Sequence, residues 1–143
     1  METEIRFSLL TEKHVETEEL SPLVLAYLGD AVYELMVRTL LVNEGLAHVA
    51  ELHRKAVELV RAGTQAQLLH EVKDWLTQEE LRVMKRGRNA KSGHTPKNAD
   101  VVDYRHSTGF ESLIGYWYLK GEEKRMQDFF SKLVMFYLNG REE

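Results

Sequence analysis

The chain has 143 residues, of which 43% are hydrophobic and 29% are charged. This length suits one domain with its own hydrophobic core, and the composition is that of an ordinary globular protein. Cysteine is absent, which excludes disulfide bonds and metal sites built on thiolates. The sequence shows neither a signal-peptide pattern nor a run of roughly 18 apolar residues. We therefore expect a cytoplasmic protein that does not enter a membrane.

The charge of the chain is unevenly distributed. The formal net charge of −4 would by itself argue against a nucleic-acid ligand. Residues 85–98, however, contain no acid and five basic residues, Lys85, Arg86, Arg88, Lys91 and Lys97. We call residues 85–98 the basic segment and predict that it forms a loop. This loop could bind phosphate groups, or it could be solvated and carry no ligand.

Residues 1–19 are predicted to be an irregular lead-in, and helical patterns follow it. Ser21 precedes Pro22, which is a typical helix start because serine can cap and proline suits the first helical position. Thr64 and Thr77 are further capping candidates at the starts of later helices. The spacing of apolar residues predicts helices over residues 21–45, 48–62, 64–72, 77–88, 100–105, 109–119 and 122–138.

Helix-breaking residues are scarce throughout the chain. Only two prolines occur, Pro22 and Pro96, and no segment alternates between apolar and polar residues as a strand would. The predicted fold is therefore a single all-α domain, an irregular bundle of six or seven helices.

Asp30 follows Gly29 in the middle of the first predicted helix, where this pair is unusual. Glycine costs about 1 kcal/mol relative to alanine inside a helix. An aspartate among apolar neighbours also risks losing water without gaining a partner. One interpretation is a solvated stripe shared with Glu34, in which Gly29 lets another helix approach. The other interpretation gives Asp30 a chemical role.

Glu111 is the only charged residue in the apolar stretch formed by residues 108–119. A carboxylate on a buried helix needs a cation, a metal ion or a hydrogen-bond donor. Glu111 could form a structural ion pair with Arg38 or Arg105. Alternatively, Asp30 and Glu111 converge on one hard cation, because Mg²⁺ is often held by one or two carboxylates and keeps several waters.

These two acidic segments resemble the two signatures of the ribonuclease III family. Residues 25–34 read LAYLGDAVYE, similar to the family helix whose L-G-D core carries a metal-binding aspartate. Residues 110–119 read FESLIGYWYL, similar to the family's second element, an F-E pair on an apolar helix. The resemblance extends over residues 20–138 and leaves little chain for a double-stranded RNA-binding domain. It therefore points to the Mini-ribonuclease III branch, which lacks that domain.

The resemblance implies that Asp30 and Glu111 are catalytic and bind the metal ion, Mg²⁺ with Mn²⁺ as a substitute. Longer family members have two more acids, whose positions are occupied here by Ala26 and Thr108. These replacements bear on the number of metal ions bound. Three other carboxylates are candidates for an outer shell around the metal: Glu34, Asp100 and Asp103.

The implied activity is metal-dependent endonucleolytic hydrolysis of phosphodiester bonds in double-stranded RNA. The resemblance also implies a natural substrate, a precursor of large-subunit (23S) ribosomal RNA. Double-stranded RNA is recognised mainly through its shape, phosphates and 2′-hydroxyls. The catalytic domain must therefore grip the RNA itself, and we expect the contacts at Lys85, Arg86, Arg88, Asn89 and Lys91.

The resemblance further implies a homodimer. The predicted helix over residues 109–119 is apolar on more than one face, so its residues could serve the core or the dimer interface: Phe110, Leu113, Ile114, Trp117 and Tyr118. Two other functions stay open. The chain could be a non-catalytic module that binds structured RNA or a ribosome-assembly partner, or it could be a helical protein-interaction module.

Overall fold

Six α-helices make up the fold of the computed structural model, which describes residues 16–90, 95–97 and 100–141. The helices are α1 (Pro22–Asn43), α2 (Val49–Val60), α3 (Ala62–Val72), α4 (Gln78–Asn89), α5 (Val101–Lys120) and α6 (Glu123–Arg141). Two 3₁₀ turns, Thr17–Glu19 and Lys73–Trp75, precede α1 and α4. The described residues contain no strand, so the predicted all-α fold is confirmed. None of their helices is both long and apolar enough to cross a membrane.

α5 lies at the centre of the bundle and packs against α1, α3 and α4. Every residue from 107 to 117 except Glu111 is buried. The rings of Phe110 and Trp117 on α5 both contact Phe129 of α6, with centroids 5.5 and 5.9 Å apart. A helix buried on nearly all sides must be apolar on nearly all sides, which explains the unusual composition of this segment.

The apolar residues considered for a dimer interface lie instead in the core of the single chain. Phe110, Leu113, Ile114 and Trp117 are buried, and Tyr118 is partly buried. Side chains enclosed within one chain cannot form the centre of a contact with a second copy. Of the two alternatives, the core is therefore confirmed for Phe110, Leu113, Ile114 and Trp117.

Glycines allow α5 to approach two of its neighbours closely. A Cβ atom added at Gly115 would lie 2.9 Å from the carbonyl carbon of Leu25 on α1. A Cβ added at Gly109 would lie 2.7 Å from the carbonyl oxygen of Met84 on α4. Both distances are below ordinary van der Waals contact, so only a residue without a side chain fits at these crossings.

Three local predictions differ from the structure. Thr64 does not cap α3, because the helix already begins at Ala62 and the Thr64 hydroxyl donates to the carbonyl oxygen of Glu58. Residues 100–105 and 109–119 form the single helix α5, in which Gly109 continues the helix at the crossing with α4. Helix α4 runs to Asn89, so the first residues of the basic segment are helical. Cations suit the last turn of a helix, which explains why the helix extends through them.

Candidate active site

Asp30 and Glu111 meet where α1 crosses α5. Asp30 is exposed on α1, Glu111 is partly buried on α5, and their carboxyl groups share a hydrogen bond. Gly29, the neighbour of Asp30, packs directly against the backbone of Glu111 and Gly115. The close approach of the two helices that Gly29 allows brings the two carboxyl groups together. The glycine inside the helix and the aspartate among apolar neighbours therefore have one structural cause.

Electrostatics at this contact favour a shared proton. Burial raises the pKa of Glu111, the negative charge of Asp30 and the hydrogen bond to Asp30 raise it further, and a hydrogen bond from Gln65 opposes them. The result is a pKa of about 8 for Glu111. Two touching carboxyl groups resist losing both protons, because the second negative charge is repelled by the first. Near neutral pH, the pair therefore keeps one proton.

A structural ion pair does not account for Glu111. Arg38, one of the two arginines considered, lies 3.6 Å from Glu34 on the same helix. Arg105 is exposed, and among the described residues no ion pair joins it to Glu111. The carboxyl group of Glu111 therefore faces another carboxyl group and an amide rather than a cation.

The C-terminal end of α2 forms a rigid frame beside the carboxyl pair. A helix leaves its last carbonyl groups without intrahelical partners, and here three consecutive ones accept hydrogen bonds from side chains. These bonds are Thr64 Oγ1 to Glu58 O at 2.6 Å, Tyr33 Oη to Leu59 O at 2.7 Å, and Gln65 Nε2 to Val60 O at 2.9 Å. Burial and the nearby charge of Glu111 both raise the pKa of Tyr33, so its hydroxyl remains a hydrogen-bond donor.

The two positions at which longer family members carry further acids are closed to solvent. Ala26 is buried in α1, and Thr108 is buried in α5 with its hydroxyl donating 3.0 Å to the carbonyl oxygen of Tyr104. Two of the three outer-shell candidates, Glu34 and Asp100, have other partners. Glu34 pairs with Arg38, and Asp100 caps α5 by accepting a hydrogen bond from the backbone nitrogen of Asp103.

The carboxyl pair fits a hard divalent cation. In the described part of the chain, no cluster of three or more acidic or histidine side chains could hold a metal ion. Asp30 and Glu111 offer two carboxylates, and Mg²⁺ commonly takes one or two from a protein. A divalent cation between them would neutralise the repulsion that now retains a proton. The donor set, two carboxylate oxygens, is the one that such cations prefer.

The basic residues predicted to contact RNA begin at the end of α4. Lys85, Arg86 and Asn89 are exposed, while Arg88 is partly buried and donates from Nε to the side chain of Asn89 at 3.2 Å. Lys91 lies outside the described residues. Gly87 packs against Gly109 and Ser112, so this end of α4 is anchored on α5, the helix that carries Glu111.

An exposed apolar stripe runs along α1 beside Asp30. Tyr27 is the most open of the large apolar side chains, at 83% exposure. The other members follow at spacings of three, four or seven residues, which places them on one face of the helix. The stripe consists of Val24, Tyr27, Ala31, Leu35 and Val42.

Gln65 was missed as a site residue by sequence reasoning. Its side chain contacts Glu111 and Val60, and it is only 2% exposed. A sequence signal was available, because Gln65 precedes Leu68, Leu69 and Val72 by three, four and seven residues. That spacing places a polar residue on the buried face of α3.

Comparisons with known proteins show what the chain is similar to. Residues 23–122 match the model of the ribonuclease III domain. The chain is 56% identical over 119 residues to Mini-ribonuclease 3 from Desulfitobacterium hafniense (strain Y51), covering 83% of this chain and 75% of that protein. It is 46% identical over 122 residues to Mini-ribonuclease 3 from Symbiobacterium thermophilum, covering 85% and 94%. The crystal structure of a Fusobacterium nucleatum protein matches with a TM-score of 0.75 at 27% identity, covering 83% of this chain and 95% of that one.

Proposed function

Since the chain belongs to the ribonuclease III family and is an endoribonuclease of that type acting on double-stranded RNA, we propose that Asp30 and Glu111 are its catalytic residues. The observation that carries this proposal is the contact between their carboxyl groups at the α1–α5 crossing. Enzymes of this family depend on a divalent metal ion, and we propose Mg²⁺, with Mn²⁺ as a substitute. Asp30 and Glu111 would hold it.

Such an ion would supply activation of water and stabilisation of the charge that develops on the phosphoryl oxygens. The residues of the chain would orient this chemistry. Asp30 and Glu111 would hold the ion as carboxylates, so Glu111 would have to give up its proton for binding. We propose no protein nucleophile, because the hydroxyls of Ser112 and Thr108 donate to backbone carbonyl oxygens, which are not bases: Ser112 to Pro22 O at 2.8 Å and Thr108 to Tyr104 O. Water is therefore the attacking group, and the reaction is a hydrolysis.

The RNA duplex would be bound by five residues of the basic segment: Lys85, Arg86, Arg88, Asn89 and Lys91. Lysine and arginine supply the phosphate affinity in RNA binding, and each neutralised phosphate makes binding more sensitive to salt. The rigid end of α4 supports this role, since α4 is anchored on the same helix that carries Glu111. The RNA-binding residues at the end of α4 and the carboxyl pair would thus keep a constant distance from each other.

A homodimer would form through the apolar stripe on α1, with a second copy of this chain as the partner. The two strands of a duplex are antiparallel, so cutting both requires two sites related by a two-fold axis. A two-fold dimer uses the same patch on both subunits. The stripe borders Asp30, so pairing two copies of α1 would bring both carboxyl pairs to one shared groove.

The proposed physiological substrate is a precursor of large-subunit (23S) ribosomal RNA, cut in the cytoplasm. This part of the proposal rests on the family resemblance. A second function, binding of structured RNA without cleavage, is favoured by one observation. The positions of two acids common in the family are taken by Ala26 and Thr108, both buried.

The test is cleavage of a perfectly paired RNA duplex, with Mg²⁺ and with a chelator. Wild-type protein should produce staggered cuts with Mg²⁺ alone, whereas Asp30→Asn and Glu111→Gln should abolish cleavage and retain duplex binding. Glu79→Gln is the matched control, because it removes an exposed carboxylate that pairs with Arg82 on its own helix and should leave the rate unchanged. Cleavage by Asp30→Asn would refute the site. Binding without cutting by the wild type in any divalent metal would establish the non-catalytic function.

A further inference from the structure

Gln65 joins the carboxyl pair to the frame at the end of α2. Its Nε2 atom donates to Val60 O at 2.9 Å and to Glu111 Oε2 at 3.2 Å. Both hydrogens of the amide are therefore used. Its Oε1 atom is buried and has no hydrogen-bond partner among the described residues. A buried acceptor without a partner costs about 1–3 kcal/mol, so the contacts made by Nε2 must outweigh that cost.

The frame restricts the orientation of this amide. Val60 O is one of three consecutive carbonyl oxygens held by side chains, and Thr64 and Tyr33 hold the other two. Turning the amide over would place Oε1 against both Val60 O and the carboxylate of Glu111, where oxygen would face oxygen. The amide can therefore present only its donor to Glu111. A donor in a fixed direction selects one position of the carboxylate that accepts from it.

We infer that Gln65 is a positioning residue for the metal site, which holds the carboxylate of Glu111 in the orientation that binds the cation together with Asp30. This inference rests on the proposed role of Asp30 and Glu111. Groups that hydrogen-bond to a metal-binding carboxylate fix its orientation, and losing one typically costs about 10–100-fold in metal affinity or activity. Glutamine meets the requirement here because it offers two hydrogens from one atom at this reach. Asparagine is one methylene shorter and cannot keep both contacts.

A structural role in capping α2 is the alternative, and Thr64 provides the control for it. Thr64→Val removes the neighbouring cap on Glu58 O and leaves Glu111 untouched. Gln65→Met keeps the length of the side chain and removes both hydrogen bonds. Metal binding is followed without RNA, by the rise in melting temperature during a Mg²⁺ titration and by the signal of free Mn²⁺ in electron paramagnetic resonance. Cleavage rate against Mg²⁺ concentration gives a third readout.

Gln65→Met should raise the Mg²⁺ and Mn²⁺ concentrations for half-saturation by about 10–100-fold. Thr64→Val should lose about as much thermal stability as Gln65→Met but bind both ions with wild-type half-saturation. Equal metal responses in the two variants would overturn the inference and leave Gln65 as a helix cap. If Gln65→Met does not fold, Gln65→Asn takes its place with the same expected direction, and wild-type half-saturation in it would equally overturn the inference. Asp30→Asn separates the two proposals, because metal binding that survives in Asp30→Asn contradicts the site itself.

Discussion

Replacing Gly29 by alanine tests whether the α1–α5 crossing sets the geometry of the active site. A Cβ atom at this position would lie 1.7 Å from the carbonyl oxygen of Glu111 and 2.8 Å from the backbone nitrogen of Gly115. Both neighbours are backbone atoms, which cannot rotate away as a side chain could. Ordinary contact begins near 3.4 Å, so the helices must separate by about 1.5 Å at this point.

That separation has a cost in stability and a larger one in rate. Overpacking a core costs about 1–3 kcal/mol, against which alanine regains about 1 kcal/mol of helix propensity. We expect a melting temperature several degrees lower in thermal unfolding. Misplacing reacting groups by about 1 Å can cost about 100-fold in rate, because Asp30 is the next residue and moves with Gly29. We therefore expect duplex cleavage at saturating Mg²⁺ to fall by about that factor.

Gly140→Ala is the matched control for Gly29→Ala. Gly140 also lies in a helix, and a Cβ added there would meet nothing within 4 Å. It should keep the wild-type rate and be equally or slightly more stable, because alanine favours the helix without a clash. Wild-type cleavage and melting temperature in Gly29→Ala would refute the argument that this crossing sets the position of the two carboxyl groups.

Three further predictions concern RNA binding, assembly and pH. Neutralising Arg86, Arg88 and Lys91 together should weaken duplex binding and make the binding constant less dependent on salt concentration. The same loss of charge at Lys120, Lys124 and Lys132 should leave the salt dependence unchanged. Tyr27→Lys should convert the proposed dimer to a monomer in sedimentation, while Met135→Lys, at another exposed apolar residue, should not. The free energy of unfolding of the metal-free protein should fall as pH rises from about 4.5 to about 8, because the folded chain keeps a proton that the unfolded chain releases. Glu111→Gln should remove this dependence in thermal unfolding, and an unchanged profile would contradict the shared proton.

Local signals in the sequence predicted most of the helices, although residues 100–105 and 109–119 were predicted as two helices rather than one. Ser21 caps α1 ahead of Pro22 as expected, and Thr77 forms a capping box with Glu80 at the start of α4. These features depend on residues close together in the chain, where cap chemistry and apolar spacing act directly. The all-α fold followed from them.

Long-range contacts could not be predicted from the sequence in the same way. Glu80 also accepts a hydrogen bond from Trp117 Nε1 at 2.7 Å and one from Arg125 Nε at 2.8 Å, residues 37 and 45 positions away. Burial alone would raise the pKa of Glu80, but the hydrogen bonds from Arg125, the Thr77 backbone and Trp117 lower it. The local pattern identifies Glu80 as the capping-box partner of Thr77, but it does not indicate the contacts with Trp117 and Arg125. Such pairings depend on how the helices pack.

The position of the proposed active site follows from the close crossing of α1 and α5. Gly29 and Gly115 bring the backbones of α1 and α5 together, and backbones this close leave no room for long side chains or water between them. A carboxylate on α5 at this crossing loses much of its hydration, which raises the pKa of Glu111. A partner on α1 must be short, as Asp30 is. Gly29, Asp30 and Glu111 are thus all explained by the close crossing of α1 and α5. In the sequence, the Gly-Asp pair and the isolated Glu111 are two separate anomalies, but in the structure they have this single cause.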